Sequence, residues 1–204
     1  MSKIKLPHAS GNSMSIAAPA TNPASDLELK LPVDIGAAGK VLSVDGSGNL
    51  KFIYPSGYGA FHVYMNGQQE ITNDAQEVIE FAHETFDTQN WWDTSTYKYT
   101  PQVAGIYFFN LKIEWNSSYV DSKATKLRAK IYKNTTELTD QYMGIDDVYG
   151  SISNTVSIMV EMNGSSDYMQ YKVQGHTDDG TNPRVMGHSS GIYTHADGYL
   201  VEAS

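Results

Sequence analysis

From Phe61 onward the chain alternates large apolar and polar side chains with a period of two, in run after run, and no other feature constrains its fold as much. Successive side chains of a strand point to opposite faces, so each such run buries one face. Phe61, Val63 and Met65 share a face, with His62 and Tyr64 on the other. Tyr107, Phe109, Leu111, Ile113 and Trp115 form the longest run. Leu127, Ala129 and Ile131 alternate with Lys126, Arg128 and Lys130; Val156, Ile158, Val160 and Met162 repeat the pattern, as do Met169, Tyr171 and Val173. Turn-forming residues separate the runs, at 101–105, 133–134, 163–164 and 178–183. Only residues 74–81 read as one or two helical turns. Many short strands with no convincing helix predict an all-β sandwich or jelly roll of two antiparallel sheets.

Length and charge narrow the function. A chain of 204 residues has room for one such domain and a shorter segment. The formal charge of −9 argues against nucleic acid, whose phosphates need a positive footprint, and against anionic lipid heads. With no cysteine, disulfides, Cys-ligated zinc and thiol chemistry are excluded. A small head without such staples favours stabilisation by oligomerisation. No apolar stretch is long enough to span a membrane, and no secretory signal is visible near the first Met. Without that route, the N-x-S/T triplets at Asn116, Asn134 and Asn163 read as chance.

The chain divides near Tyr54-Pro55-Ser56-Gly57. Residues 1–57 are expected to be a connector and trimerisation segment, and residues 58–204 the head. Residues 10–25 are rich in Ser, Ala, Asn and Pro and bury too little to fold alone. Residues 27–32 alternate as a strand would; residues 41–44 and 50–52 flank an Asp-Gly-Ser-Gly-Asn turn and predict a hairpin. The turn lacks the further carboxylates of a calcium loop. An isolated hairpin is marginal in water. Leu27, Leu29, Leu31, Val41, Leu42 and Val44 are therefore expected to pack against copies of the segment or the head.

Several motifs, in order, resemble the signature of C1q-like heads of the TNF/C1q superfamily. They are Phe86-Asp87-Thr88; Trp92 through Thr100-Pro101; and Val103-Ala104-Gly105-Ile106-Tyr107-Phe108-Phe109. Ala129-Lys130-Ile131-Tyr132-Lys133-Asn134, Gly150-Ser151 and Gly198-Tyr199-Leu200-Val201 complete the series. Residues 11–53, with Gly36-Ala37-Ala38-Gly39-Lys40-Val41-Leu42 and the turn after them, resemble a connector common in tail-fibre proteins of marine and cyanobacterial phages. The resemblance implies a trimeric C1q/TNF-like jelly roll that binds rather than catalyses. It implies a virion location, on a tail fibre or capsid surface. The expected partners are further copies of the chain, other virion proteins through the N-terminal segment, and a host surface protein or glycan. The rival readings are a purely structural virion protein, such as capsid decoration or a fibre cap, and a bacterial C1q-like surface protein.

Catalytic patterns are weak. Gly187-His188-Ser189-Ser190-Gly191 fits a nucleophile elbow, but too little chain follows it to supply the Asp and His partners. The six histidines show no metal-binding pair spacing. Lys126, Arg128 and Lys130 read as a solvated strand face. By the resemblance, the loop ahead of Ser151 lies at the trimer apex, where some relatives hold calcium. Asp146, Asp147 and Tyr149 occupy that place, so they and Tyr142 are candidate ligand-binding residues. Six carboxylates near a threefold axis either splay into solvent or bind a cation such as calcium. No other cofactor is expected. Trp92 matches an aromatic that relatives bury. The additional Trp91 is a candidate for recognition or a subunit contact. Tyr64, Phe108 and Tyr168, on nominally outer faces, are the candidates for the trimer interface.

Overall fold

The computed structural model describes residues 3–7, 11, 13–17, 28–116, 124–144 and 152–204. Every regular element among them is a strand. Two compact units emerge: Met1–Ala38 with Leu42–Phe52, and Gly39–Val41 with Ile53–Ser204.

In the first unit β1 (Lys3–Pro7) and β2 (Ser13–Ala17) pair antiparallel. The predicted hairpin forms from β3 (Val41–Val44) and β4 (Leu50–Ile53). Its turn is built by Asp45, whose Oδ1 accepts from the Ser47 and Asn49 amides at 2.8 and 2.9 Å and whose Oδ2 accepts from Asn49 Nδ2 at 2.9 Å. The Asn49 side chain, with these amides, holds the Asp45 carboxyl below its ordinary range. The carboxylate is thus consumed by the turn. Of residues 27–32, expected to alternate as a strand, Leu27 lies outside the described residues, and the rest contribute one isolated parallel bridge between Lys30 and Asn49.

The second unit is a sandwich. Its strands are β5 (Phe61–Tyr64), β6 (Gln69–Glu70), β7 (Gln76–Val78), β8 (His83–Asp87), β9 (Trp92–Asp93), β10 (Lys98–Tyr99) and β11 (Ala104–Trp115), followed by β12 (Ala124–Lys133), β13 (Thr136–Gly144), β14 (Ile152–Asn163), β15 (Met169–Thr177), β16 (Arg184–Val185) and β17 (His195–Ala203). One sheet runs β14-β11-β17-β5-β8, with β16 and β6 extending it beside the end of β11. The other runs β13-β12-β15-β10-β9, with β7 also on β15. Residues 74–81 are therefore not helical: Gln76–Val78 pairs with Lys172–Gln174, and Asp74 takes a left-handed φ of 63°. The ladder to β15 supplies backbone partners that a lone helical turn would not have.

The long alternating run becomes the central strand. Tyr107, Phe109, Leu111, Ile113 and Trp115 of β11 are fully buried, facing Leu127, Ala129 and Ile131 of β12 and Tyr171 and Val173 of β15. Fully burying each large apolar side chain contributes about 1.5–3 kcal/mol, so this strand dominates the core. Aromatic rings fill one end: Phe61 stacks on Tyr99 at 4.3 Å and on Trp92 at 5.6 Å. Their polar tips find partners, Tyr99 with Gly59 O at 2.5 Å and Trp92 Nε1 with Phe81 O at 3.1 Å.

The chain enters at one pole, where the Gly57 amide donates to Leu200 O at 2.7 Å. Leu200 pairs with Tyr107, whereas Trp115, eight residues along β11, pairs with Ile152. At about 3.4 Å per residue, the β13–β14 connection starts and ends far from the entry pole.

Candidate functional site

Antiparallel pairing aligns the outer face of the β11 sheet into rows. Phe108 pairs with Met159 of β14 and Tyr199 of β17. The next row runs Ser157, Asn110, Asp197, His62 and Phe86; the row beyond it runs Thr155, Lys112, His195, Tyr64 and His83. The first row is apolar and open: Met159 is 65% exposed, Tyr199 39% and the adjacent Ile106 40%. Phe86, at the far edge, is 47% exposed. Contiguous exposed apolar residues of this kind mark an interaction surface.

Beside them lies a polar cluster that the spacing of the sequence did not reveal. His62 Nδ1 is 2.5 Å from Asp197 Oδ1, and His195 Nε2 is 3.7 Å from Asp197 Oδ2. Asn110 Nδ2 donates to the same Oδ2 at 3.3 Å, and the two imidazoles are 5.2 Å apart. Burial opposes ionisation of Asp197, but the His62 bond, the Asn110 amide and both imidazoles outweigh it and hold the carboxyl below its ordinary range. Burial lowers the His195 pKa; Asp197 opposes this, and His62 and Lys112 reinforce it. One acid faces two imidazoles on a half-dry sheet surface, an arrangement suited to a polar lock within an interface. Only His195-x-Asp197, two apart on one strand, was a visible sign of it; His62 lies 135 residues from Asp197.

The candidate residues fall in different places. Tyr64 and Phe108 share the outer face just described. Tyr168 does not: it precedes β15 in the opposite sheet, with the Lys98 ammonium 4.1 Å over its ring. Its amide donates to Asn134 Oδ1 at 3.0 Å. Asn134 itself holds a left-handed φ of 56° in the turn between β12 and β13 and donates through Nδ2 to Asp167. Trp91 is half-buried near the entry pole, edge-on to Tyr58 at 5.7 Å and Tyr99 at 6.0 Å, and packs against the core. Trp92 is buried, as expected. Tyr142 is 55% exposed on β13, with the Arg128 guanidinium 5.3 Å over its ring. Asp146, Asp147 and Tyr149 lie outside the described residues. Among the described residues no group of three or more His, Cys, Asp or Glu is placed to hold a metal ion.

The basic row is not a simple solvated face. Lys130 is only 5% exposed; its ammonium lies 2.9 Å from Glu137 Oε2 and 3.2 Å from Gln76 Oε1. Arg128 Nη1 donates to Asp140 at 2.6 Å, and Lys126 pairs with Asp74. Burial, with the bond to Glu137, pushes the Tyr132 hydroxyl up to about 12. The row is neutralised from within and offers no footprint for phosphates. Ser189 is exposed in a turn that leads to β17, a strand rather than the helix a nucleophile elbow requires.

The sequence profile of the C1q domain matches residues 60–184. No curated protein matches the chain. Among solved structures, Eiger TNF from S. frugiperda is similar in fold, with a TM-score of 0.53 at 9% identity over 71% of this chain and 93% of that one. The profile stops before β17, yet β17 lies between β11 and β5, so the fold itself continues to Ala203. The C1q match spans more than half of the chain and the sandwich is that of a C1q/TNF-like jelly roll, so this chain belongs to the C1q domain family.

Proposed function

We propose that the protein is a homotrimeric, non-enzymatic head of a virion fibre that attaches to a host surface protein or glycan. The observation that carries the assembly is the open apolar row of Met159, Phe108, Tyr199 and Ile106, on a sheet face that no described residue of the protomer covers. In a threefold assembly Phe108 and Tyr64 lie in the subunit contact, and the His62, His195 and Asp197 cluster is sealed with them. The entry pole is tied to the N-terminal segment, which reaches other virion proteins. The opposite pole, with Tyr142 near it, is left for a receptor, and Asp146, Asp147 and Tyr149 are the further residues we assign to receptor binding. Binding residues concentrate on loops held by a rigid scaffold. Calcium shared among the three copies of Asp146 and Asp147 belongs to the same proposal. The virion setting is supported by the resemblance of residues 11–53 to phage fibre connectors. No helix among the described residues is long and apolar enough to cross a membrane.

Light scattering of the purified chain at micromolar concentration should give the mass of three copies, and labelled protein should bind cells of a susceptible host. A monomer would overturn the assembly. A trimer that binds no host cell, in particles that need the protein to assemble, would replace attachment with the structural role.

A further inference from the structure

The N-terminal segment is built to a definite shape yet leaves its apolar side chains in water. Leu31, Val33 and Ile35 are 82%, 104% and 95% exposed, and Leu29, Leu42 and Val44 lie above half. These are six large aliphatic side chains within sixteen residues. Disordered linkers avoid such composition. Nor is the backbone slack. The Asp45 carboxylate closes the hairpin turn, and the Lys30 amide donates to Gly48 O at 3.1 Å while its carbonyl accepts from the Leu50 amide at 2.8 Å. A Cβ on Gly36, whose φ is +72°, would fall 2.5 Å from the Phe52 ring, so the backbone there is closed tightly on that side chain. The segment is thus a closed hairpin with an irregular stretch, Leu31 to Ile35, bridged to it at Lys30, and its outward surface is aliphatic.

We infer that this surface is covered by the same segment from the two other copies of the chain, giving a three-chain β-stem. The inference rests on the homotrimer proposed above. Two further observations favour copies of the segment as the occupant. The first is charge. Glu28, Asp34 and Asp45 are matched one for one by Lys30, Lys40 and Lys51, so residues 28–53 are neutral in a chain of net charge −9. Copies of this stretch meet without net repulsion, whereas the excess negative charge lies elsewhere. The second is tethering. Each segment joins its head directly at residues 53–58, so trimeric heads present three segments to one another at an effective concentration of about millimolar. Three such aliphatic surfaces meeting about one threefold axis at that concentration need no further partner.

The test uses the full chain and a neutral variant, Leu31→Ser, Val33→Ser, Ile35→Ser. These side chains touch almost nothing in the protomer, so the variant should fold. Mass is measured first, then backbone hydrogen exchange of residues 28–53. In the trimeric wild type these amides should exchange at least tenfold more slowly than in the variant. A wild type that is trimeric by mass but exchanges as fast as the variant would overturn the stem and leave the trimer intact. A wild type that is monomeric would overturn the trimer itself, and the stem with it.

Discussion

Tyr99 donates its buried hydroxyl to the Gly59 carbonyl, whereas the hydroxyl of Tyr171, equally buried, has no partner among the described residues. Burial raises the pKa of both phenols. The two should respond oppositely to loss of oxygen. Tyr99→Phe strands a buried carbonyl and should cost about 1–3 kcal/mol. Tyr171→Phe removes an unpaired polar atom and should be neutral or stabilising. Urea denaturation with unchanged m-values would read both; a large loss for Tyr171→Phe would show that a water serves the hydroxyl.

Histidine 195 gives the chain a pH dependence with a definite sign. Its folded pKa lies below the ordinary 6.5, chiefly through burial. The stability it contributes is therefore complete above 6.5 and is lost as pH falls through the folded value. Asp197, held below 3.8, contributes above 3.8 and loses its share as pH falls through its own lowered value. The Tm should therefore fall between pH 7.5 and pH 5, and His195→Gln should flatten that fall while leaving the loss below pH 4. The groups facing these side chains are His62, Asn110 and Lys112. A Tm independent of pH from 7.5 to 5 would contradict a neutral, half-buried His195.

Among the elements, β17 carries a glycine with no room for a side chain. A Cβ on Gly198 would stand 2.5 Å from Phe61 Cε1 and 2.7 Å from Phe109 Cδ1, so Gly198→Ala must push two core rings apart. Such overpacking should cost about 1–3 kcal/mol in a chemical melt. Gly67→Ala, with nothing within 4 Å of the added methyl, serves as the neutral control. The strands themselves were readable in the sequence wherever alternation was long. The run of Tyr107, Phe109, Leu111, Ile113 and Trp115 marked one face correctly because burial on one side of a sheet leaves that pattern. Register was not readable. Nothing local to His62 indicates that Asp197 will lie opposite it, since β5 meets β17 only after the whole domain has wound between them. Lys130 shows the same limit. Alternation placed it outward, and it is outward, but the hairpin partner β13 brings Glu137 over it and closes it from water. The short β7 was missed because three residues cannot display a period; its pairing with β15 decides its conformation.

At the scale of the whole molecule, the proposed threefold assembly would bring together the open apolar rows of three copies. If three copies of Asp146 and Asp147 share calcium, a chelator should lower the Tm and Asp147→Asn should abolish that response. A melting curve unchanged by chelator would assign those carboxylates to solvent.

The position of the last strand also sets the order of events during synthesis. β17 lies in the middle of its sheet, pairing with β11 on one side and β5 on the other. A nascent chain that has not yet released residue 203 from the ribosome cannot join those two strands, however much of the sandwich has emerged. Until then β5 and β11 present raw edges, the kind that recruit foreign strands or proteases. A product truncated before β17 cannot close its sheet and cannot present the outer face that β17 helps to form.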